Sequence, residues 1–237
     1  MTSETGPTGA ANPTGAANPS GTANLSGTAN PSGTATRSDG RSAHRAFLAA
    51  VLRRPATMGA VAPSSPRLGA VLASVVPRTG APVVVELGPG TGAVSAVIAE
   101  RLPLGARHLA VELDPDMVAY LRRTRPDLEV VPGNAAQLGK LLADRGISAV
   151  DAIICGLPWA LFDDDTQTRL LGEISGAIGD TGAFTTFAYL HGMTLTAARR
   201  FRRTLRSTFD EVLVTATVWR NLPPAFVYVC RRPRARG

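Results

Sequence analysis

Apolar and polar positions change rhythm repeatedly along this chain. From residue 82 onward, short apolar runs alternate with stretches of helical period. Val83-Val84-Val85 precedes Val94, Val97 and Ile98, and Leu109-Ala110-Val111 precedes Met117, Val118 and Leu121. Ala152-Ile153-Ile154 likewise precedes Leu170, Leu171 and Ile174. A short apolar run bounded by turn residues marks a buried strand, and recurrence at i, i+3, i+4 marks one face of a helix. The pattern predicts strands near 82–87, 107–113, 128–132, 150–155, 181–188, 210–218 and 225–231. It predicts helices near 92–102, 115–123, 135–144, 166–178 and 193–207. Such alternation gives a parallel sheet covered by helices on both faces. Only Asn221-Leu222-Pro223-Pro224 joins the last two strands, a link too short for a crossover helix, so they form an antiparallel hairpin. The expected fold is α/β, a seven-stranded, mostly parallel sheet ending in that hairpin.

The rhythm upstream is different. Phe47, Leu48, Val51 and Leu52 recur at helical spacing among Arg45, Arg53 and Arg54 until Pro55 interrupts them. Ser64 or Ser65 is placed to cap a second helix running to about Val76. Before residue 41 a unit close to Asn-Pro-Ser-Gly-Thr-Ala recurs from Asn12 to Ala35, with Leu25 its one larger apolar side chain. Such a segment cannot bury enough apolar surface to offset the entropy of ordering it, so a disordered low-complexity tail is expected over 1–40. The chain then divides into an N-terminal helical segment, 41–80, and one α/β domain, 81–237.

Composition narrows the partners. A 44 % hydrophobic content supports a real core, and the formal net charge of +7 favours anionic partners: phospholipid headgroups, nucleic acid or anionic substrates. Lys140 is the only lysine, so the basic residues are almost all arginine, a pattern that GC-rich coding also produces. Cys155 and Cys230 lie in apolar strand-like runs, as buried reduced thiols do. The N-terminal residues lack a basic stretch followed by an apolar one, and no apolar run approaches the roughly 20 residues that span a bilayer. A cytoplasmic protein is expected, with any membrane contact peripheral. No His/Cys cluster has metal-ligand spacing, so no metal is expected.

The chemistry gathers at the predicted carboxyl ends of the strands, where open α/β sheets bind ligands. The first strand runs into Glu86-Leu87-Gly88-Pro89-Gly90-Thr91-Gly92, a turn whose glycines let a ligand approach the backbone closely. Glu112, 20 residues after Gly92, ends the second strand at the spacing of a carboxylate that grips ribose hydroxyls. A nucleoside-containing cofactor follows from the pair. Asn134-Ala135 follows the third strand, Gly156-Leu157-Pro158-Trp159 the fourth, and Tyr189 and His191 the fifth. A nicotinamide dinucleotide is disfavoured because Glu86, just before the glycines, would repel a pyrophosphate. The helix at 193–207 places Met193, Ala197, Ala198, Phe201 and Leu205 on one side and Arg199, Arg200, Arg202, Arg203 and Arg206 on the other. That arginine face is either an ordinary solvated surface or a face for anionic headgroups. Asp163, Asp164 and Asp165 suit the N-terminal cap of the helix they precede.

This order of features resembles the class I S-adenosylmethionine-dependent methyltransferases, with their Rossmann-like sheet, over roughly Val83 to Arg232. The resemblance implies that Glu86, Gly88, Gly90 and Gly92 hold the methionine end of S-adenosyl-L-methionine, Glu112 its ribose, and Asn134 and Ala135 its adenine. Asn134 stands where Asp is commoner. Within the class the chain is similar to the bacterial phospholipid N-methyltransferases, which methylate phosphatidylethanolamine toward phosphatidylcholine. Three segments carry that similarity: Phe47-Leu48 through Met58-Gly59-Ala60-Val61-Ala62-Pro63-Ser64-Ser65, Cys155-Gly156-Leu157-Pro158-Trp159, and Asn221-Leu222-Pro223-Pro224-Ala225 leading into Val227-Tyr228-Val229. It implies that Gly156, Leu157, Pro158 and Trp159 line the acceptor slot, with Trp159 offering a cation–π face to a methylated ammonium. Tyr189 and His191, where the fifth strand meets the site, are the candidates to hydrogen-bond the acceptor amine or, with a relayed water, to take its proton. Ribosomal RNA adenine dimethyltransferases resemble the chain around the glycine turn, but carry Asn where Gly156 stands. RNA adenine and small-molecule amines are the alternative acceptors.

Overall fold

The computed structural model of the protein describes residues 64–192 and 196–234. The repeat tail, the helix expected over 43–54 and Met193 lie outside the described residues.

Helix α1 (Pro66–Leu72) starts where expected: Ser65 caps it by accepting the Leu68 N–H at 3.2 Å, and Pro66 sits where no intrahelical N–H is needed. After a 3₁₀ turn the chain enters β1 (Val83–Leu87), then α2 (Ala93–Ala99), β2 (Arg107–Glu112), α3 (Pro115–Thr124), β3 (Glu129–Pro132), α4 (Leu138–Ala143), β4 (Val150–Cys155), α5 (Asp164–Ala177), β5 (Ile178–Tyr189), α6 (Thr196–Thr208), β6 (Phe209–Val214) and β7 (Ala225–Pro233). The helix expected over 135–144 is divided. Asn134 accepts the Ala136 N–H at 2.9 Å and holds Ala135–Gln137 as a 3₁₀ turn before α4 begins. Strand β5 starts earlier than expected, directly after α5, because Ile178 already pairs with Val150; the register then shifts so that Ala183 pairs with Ala152.

The sheet order is β3-β2-β1-β4-β5-β7-β6. Strands β1 to β5 run parallel, while β7 lies antiparallel between β5 and β6. The hairpin is therefore as expected, and its second strand is the inner one. Phe226, Val227, Tyr228, Val229 and Cys230 are all buried, as a strand covered on both faces requires.

Alternation along the strands divides the core into layers. Val85, Leu87, Ile153 and Phe184 face α4, α5 and α6 through Leu138, Leu170, Ile174, Phe201 and Leu205. Val84, Ile154 and Val227 face α1 and α2 through Leu68, Leu72, Val94 and Ile98. Segment 66–76 thus shares one core with the strands that follow it. Chain direction away from the centre reverses between β1 and β4. That is where such sheets open a crevice for ligands.

Candidate active site

Three strand ends meet at this crevice. Backbone N–H groups of Gly88, Gly133 and Gly156 donate to the carbonyls of Val111 (3.0 Å), Glu112 (2.9 Å) and Leu87 (2.8 Å). The ladder therefore continues one residue past β1, β3 and β4, and fixes the loops above it.

In the glycine turn, Gly88, Gly90 and Gly92 have φ of +70°, +56° and +79°. A Cβ on Gly90 would meet no atom within 4 Å, so this backbone faces open space. Gly156 is glycine for another reason: a Cβ there would lie 2.8 Å from the Gly88 carbonyl oxygen. It lets the β4 loop pack directly on the β1 turn, while Leu157 closes over Gly88.

Glu112 is 1 % exposed. Its Oε1 accepts the N–H groups of Leu113 (2.7 Å) and Asp114 (2.9 Å), and its Oε2 accepts the Gly90 N–H at 3.4 Å. One carboxylate thus ties the β2 end to the glycine turn. Burial pushes its pKa above the ordinary carboxylate value; the three backbone donors oppose the shift and the neighbouring Asp114 charge adds to it. Asp114 is itself buried and caps α3. A buried carboxylate beside a glycine-rich turn fits a ligand that brings hydroxyl donors and needs close backbone approach, as the ribose and methionine ends of S-adenosylmethionine do.

Glu86 is also buried, beneath the turn. Its Oε2 accepts the Ser95 hydroxyl at 2.6 Å and lies 3.3 Å from His108 Nε2, off the line of a hydrogen bond. This triplet joins β1, α2 and β2 under the crevice. The sequence pattern alone singles out neither Ser95 nor His108. The signal was there: His108, Ala110 and Glu112 alternate onto one face of β2, and Ser95 interrupts an apolar helix face. Asn134 gives one lone pair to Ala136 and keeps a second, with its amide hydrogens, for a ligand. Ala135 packs its methyl into the core.

The segment expected to line an acceptor slot divides in two. Gly156, Leu157 and Pro158 stay at the strand ends, but Trp159 turns into the core. It is 4 % exposed, donates from Nε1 to Thr186 Oγ1 at 2.8 Å, and stacks on Phe201 with ring centroids 4.7 Å apart. Phe162 and Phe184 meet it edge-on, so the expected cation–π face is not presented. Its indole instead carries the packing of α6 on the sheet. Tyr189 and His191 are brought together, their rings stacked with centroids 5.7 Å apart at the end of β5. Tyr189 is half-buried, which raises its pKa, so it stays a neutral phenol. His191 is exposed. Asp163 caps α5 by accepting the Thr166 N–H at 2.7 Å, and Asp164 lies 3.6 Å from Arg200. Among the described residues no group of three or more His, Cys, Asp or Glu side chains is placed to hold a metal, and no helix is long and apolar enough to cross a membrane.

Residues 84–182 match a methyltransferase domain family. The chain is 34 % identical over 188 residues to an ornithine lipid N-methyltransferase of Singulisphaera acidiphila, covering 78 % of this chain and 94 % of the relative. A shorter match, 48 % identical over 58 residues, is to ribosomal RNA small subunit methyltransferase A of Thiobacillus denitrificans; it spans 24 % of this chain and 21 % of that one. Among solved structures, an O-methyltransferase from Bacillus cereus in complex with SAH superposes with a TM-score of 0.55 at 15 % identity, over 80 % of this chain and 90 % of that one. That likeness carries the fold alone.

Proposed function

Since the chain belongs to the class I S-adenosylmethionine-dependent methyltransferases, we propose that it N-methylates the amine of a membrane lipid. The observation that supports this most is the similarity to a lipid N-methyltransferase along almost the whole of that relative. Phosphatidylethanolamine and an ornithine lipid are the two acceptors to compare; both present an amine at a bilayer surface. The RNA reading rests on a match to about a fifth of its relative, too short a stretch to carry that relative's activity over.

Glu112 and the backbone of Gly88 to Gly92 are the groups that would hold the cofactor, with Asn134 beside its base. S-adenosylmethionine supplies, when bound, an electrophilic methyl group on a sulfonium. The residues of the chain do the rest. Gly156, Leu157 and Pro158 bound the slot above β4, next to the turn that carries the cofactor. Leu157 and the core behind it exclude water, which keeps the reacting groups in a poorly solvating site. A lipid amine must lose its ammonium proton before its lone pair can react. Tyr189, a neutral phenol, can accept only a hydrogen bond through its oxygen, whereas the exposed His191 beside it can pass the proton to solvent.

Expression in a bacterial host whose lipids lack N-methylated headgroups tests the reading. Mass spectrometry of the lipid extract should show mono- and further-methylated amine lipids with the wild-type chain and none with Glu112→Ala. An unchanged lipid profile beside a soluble chain that binds cofactor would refute it.

A further inference from the structure

The loop between β6 and β7 combines order and exposure in an unusual way. Trp219 is 71 % exposed and Leu222 82 %, and Arg220 between them is exposed as well. Between these side chains Asn221 is only 4 % exposed. Its Oδ1 accepts the Ser65 N–H at 3.0 Å at the start of α1, and its Nδ2 donates to the Pro223 carbonyl at 2.7 Å. On either side, the Val218 N–H donates to the Ala225 carbonyl at 2.6 Å and the Leu190 N–H to the Pro224 carbonyl at 2.8 Å. The loop is fixed at its centre and at both flanks, and it holds its two largest apolar side chains outward.

Its place in the fold is equally specific. Tyr189 pairs with Ala225, so the loop stands at the carboxyl end of β5, beside the Tyr189–His191 pair. Of the other large exposed apolar residues among those described, Leu213 and Val214 end the edge strand β6 at the same end of the sheet, and Leu104 precedes β2 at the opposite end.

We infer that the Trp219–Leu222 loop is a bilayer anchor that seats the carboxyl end of β5 on an anionic phospholipid surface. The inference rests on the lipid-acceptor reading above and deepens it. Tryptophan is favoured at the membrane–water interface, where its ring is buried and its N–H stays wet. Leucine adds apolar area, and an arginine between the two meets anionic headgroups, toward which a chain of net charge +7 is already drawn. A loop already held in its docking conformation loses little entropy on binding. With the loop embedded, headgroup amines lie level with Tyr189 and His191, so an acceptor need not leave the bilayer.

The two tryptophans make the test selective, because Trp159 is buried in the core and Trp219 is not. The full chain is mixed with vesicles of phosphatidylglycerol and phosphatidylcholine, which offer no amine to methylate, with and without brominated acyl chains. The anchor predicts a blue shift of emission and quenching by the brominated lipid, both absent in Trp219→Phe. The double variant Trp219→Ser/Leu222→Ser should bind these vesicles at least about tenfold more weakly, yet keep its melting temperature and its activity on detergent-dispersed lipid. Emission unmoved by vesicles, or a double variant that binds like its parent, overturns the inference. So does a loop-dependent dimer in solution without vesicle binding. Quenching without methylation of any lipid would leave the anchor standing and remove the lipid-acceptor reading. Methylation of dispersed lipid without quenching would do the reverse.

Discussion

Glu112 carries more of the account than any other side chain, and its burial makes it testable by pH. With its pKa raised in the folded protein, the proton is held more tightly there than in the unfolded chain. Its contribution to stability is therefore full below the unfolded value and is lost as pH rises through the folded one. With Glu112 holding the cofactor ribose, as proposed, cofactor affinity would move the other way, because ribose hydroxyls would donate to the carboxylate. Affinity should fall as pH drops through that raised pKa, above the range of an ordinary glutamate. In Glu112→Gln, calorimetric titration with S-adenosylhomocysteine should show roughly 10- to 100-fold weaker binding, from the loss of charge-assisted hydrogen bonds of about 1.5–3 kcal/mol, and a flat pH profile. Two glycines separate ligand space from packing. Gly90→Ala should weaken cofactor binding well beyond the roughly 1–2 kcal/mol cost of a side chain at positive φ, since its Cβ enters open space at the turn. Gly156→Ala should instead destabilise the fold by about 1–3 kcal/mol of overpacking, read as a lower melting temperature, as its Cβ presses on the Gly88 carbonyl. The buried thiols of Cys155 and Cys230 are both pushed up to about 12 by desolvation. A thiol reagent should find neither in the native chain and both in denaturant.

Local signals decided which elements were legible. Ser65-Pro66, Asp114-Pro115 and Asp163 each combine a capping side chain with the start of a helical period, and the helices begin there. The strands β1, β2 and β4 are apolar runs between turn residues and lie within a residue or so of their expected spans. Non-local information was not legible. Nothing in the run from Ala225 to Cys230 says that it inserts between β5 and β6, because strand order depends on pairing across the sheet. Trp159 shows the same limit at a site: its place after Gly-Leu-Pro suggested a binding surface, and only the positions of Phe201, Phe184 and Thr186 reveal a core residue. Its role predicts that Trp159→Ala costs about 3–5 kcal/mol, as a large aromatic lost from a core does, read as a fall in denaturation midpoint. On α6, Phe201 and Leu205 are buried while Arg199, Arg200, Arg203 and Arg206 are exposed, as the sequence periodicity expects. Replacing any one of these four arginines by Gln should leave stability within about 0.5 kcal/mol.

At the scale of the molecule, the parts share one end of the sheet. The glycine turn closes β1, the buried Glu112 closes β2, Gly156 to Pro158 follow β4, and Tyr189 and His191 follow β5 beside the Trp219–Leu222 loop. On the proposed function, a cofactor bound at the switch between β1 and β4 and an amine arriving over β5 would meet at neighbouring strand ends. The purified full chain given methyl-labelled S-adenosylmethionine tests that arrangement most directly. Phosphatidylethanolamine, ornithine lipid, ribosomal RNA and small amines should be offered in parallel, with Glu112→Gln as control. Label should enter a lipid amine with the wild-type chain and be greatly reduced with the variant. Label confined to RNA or to a small amine, with both lipids blank, would contradict it.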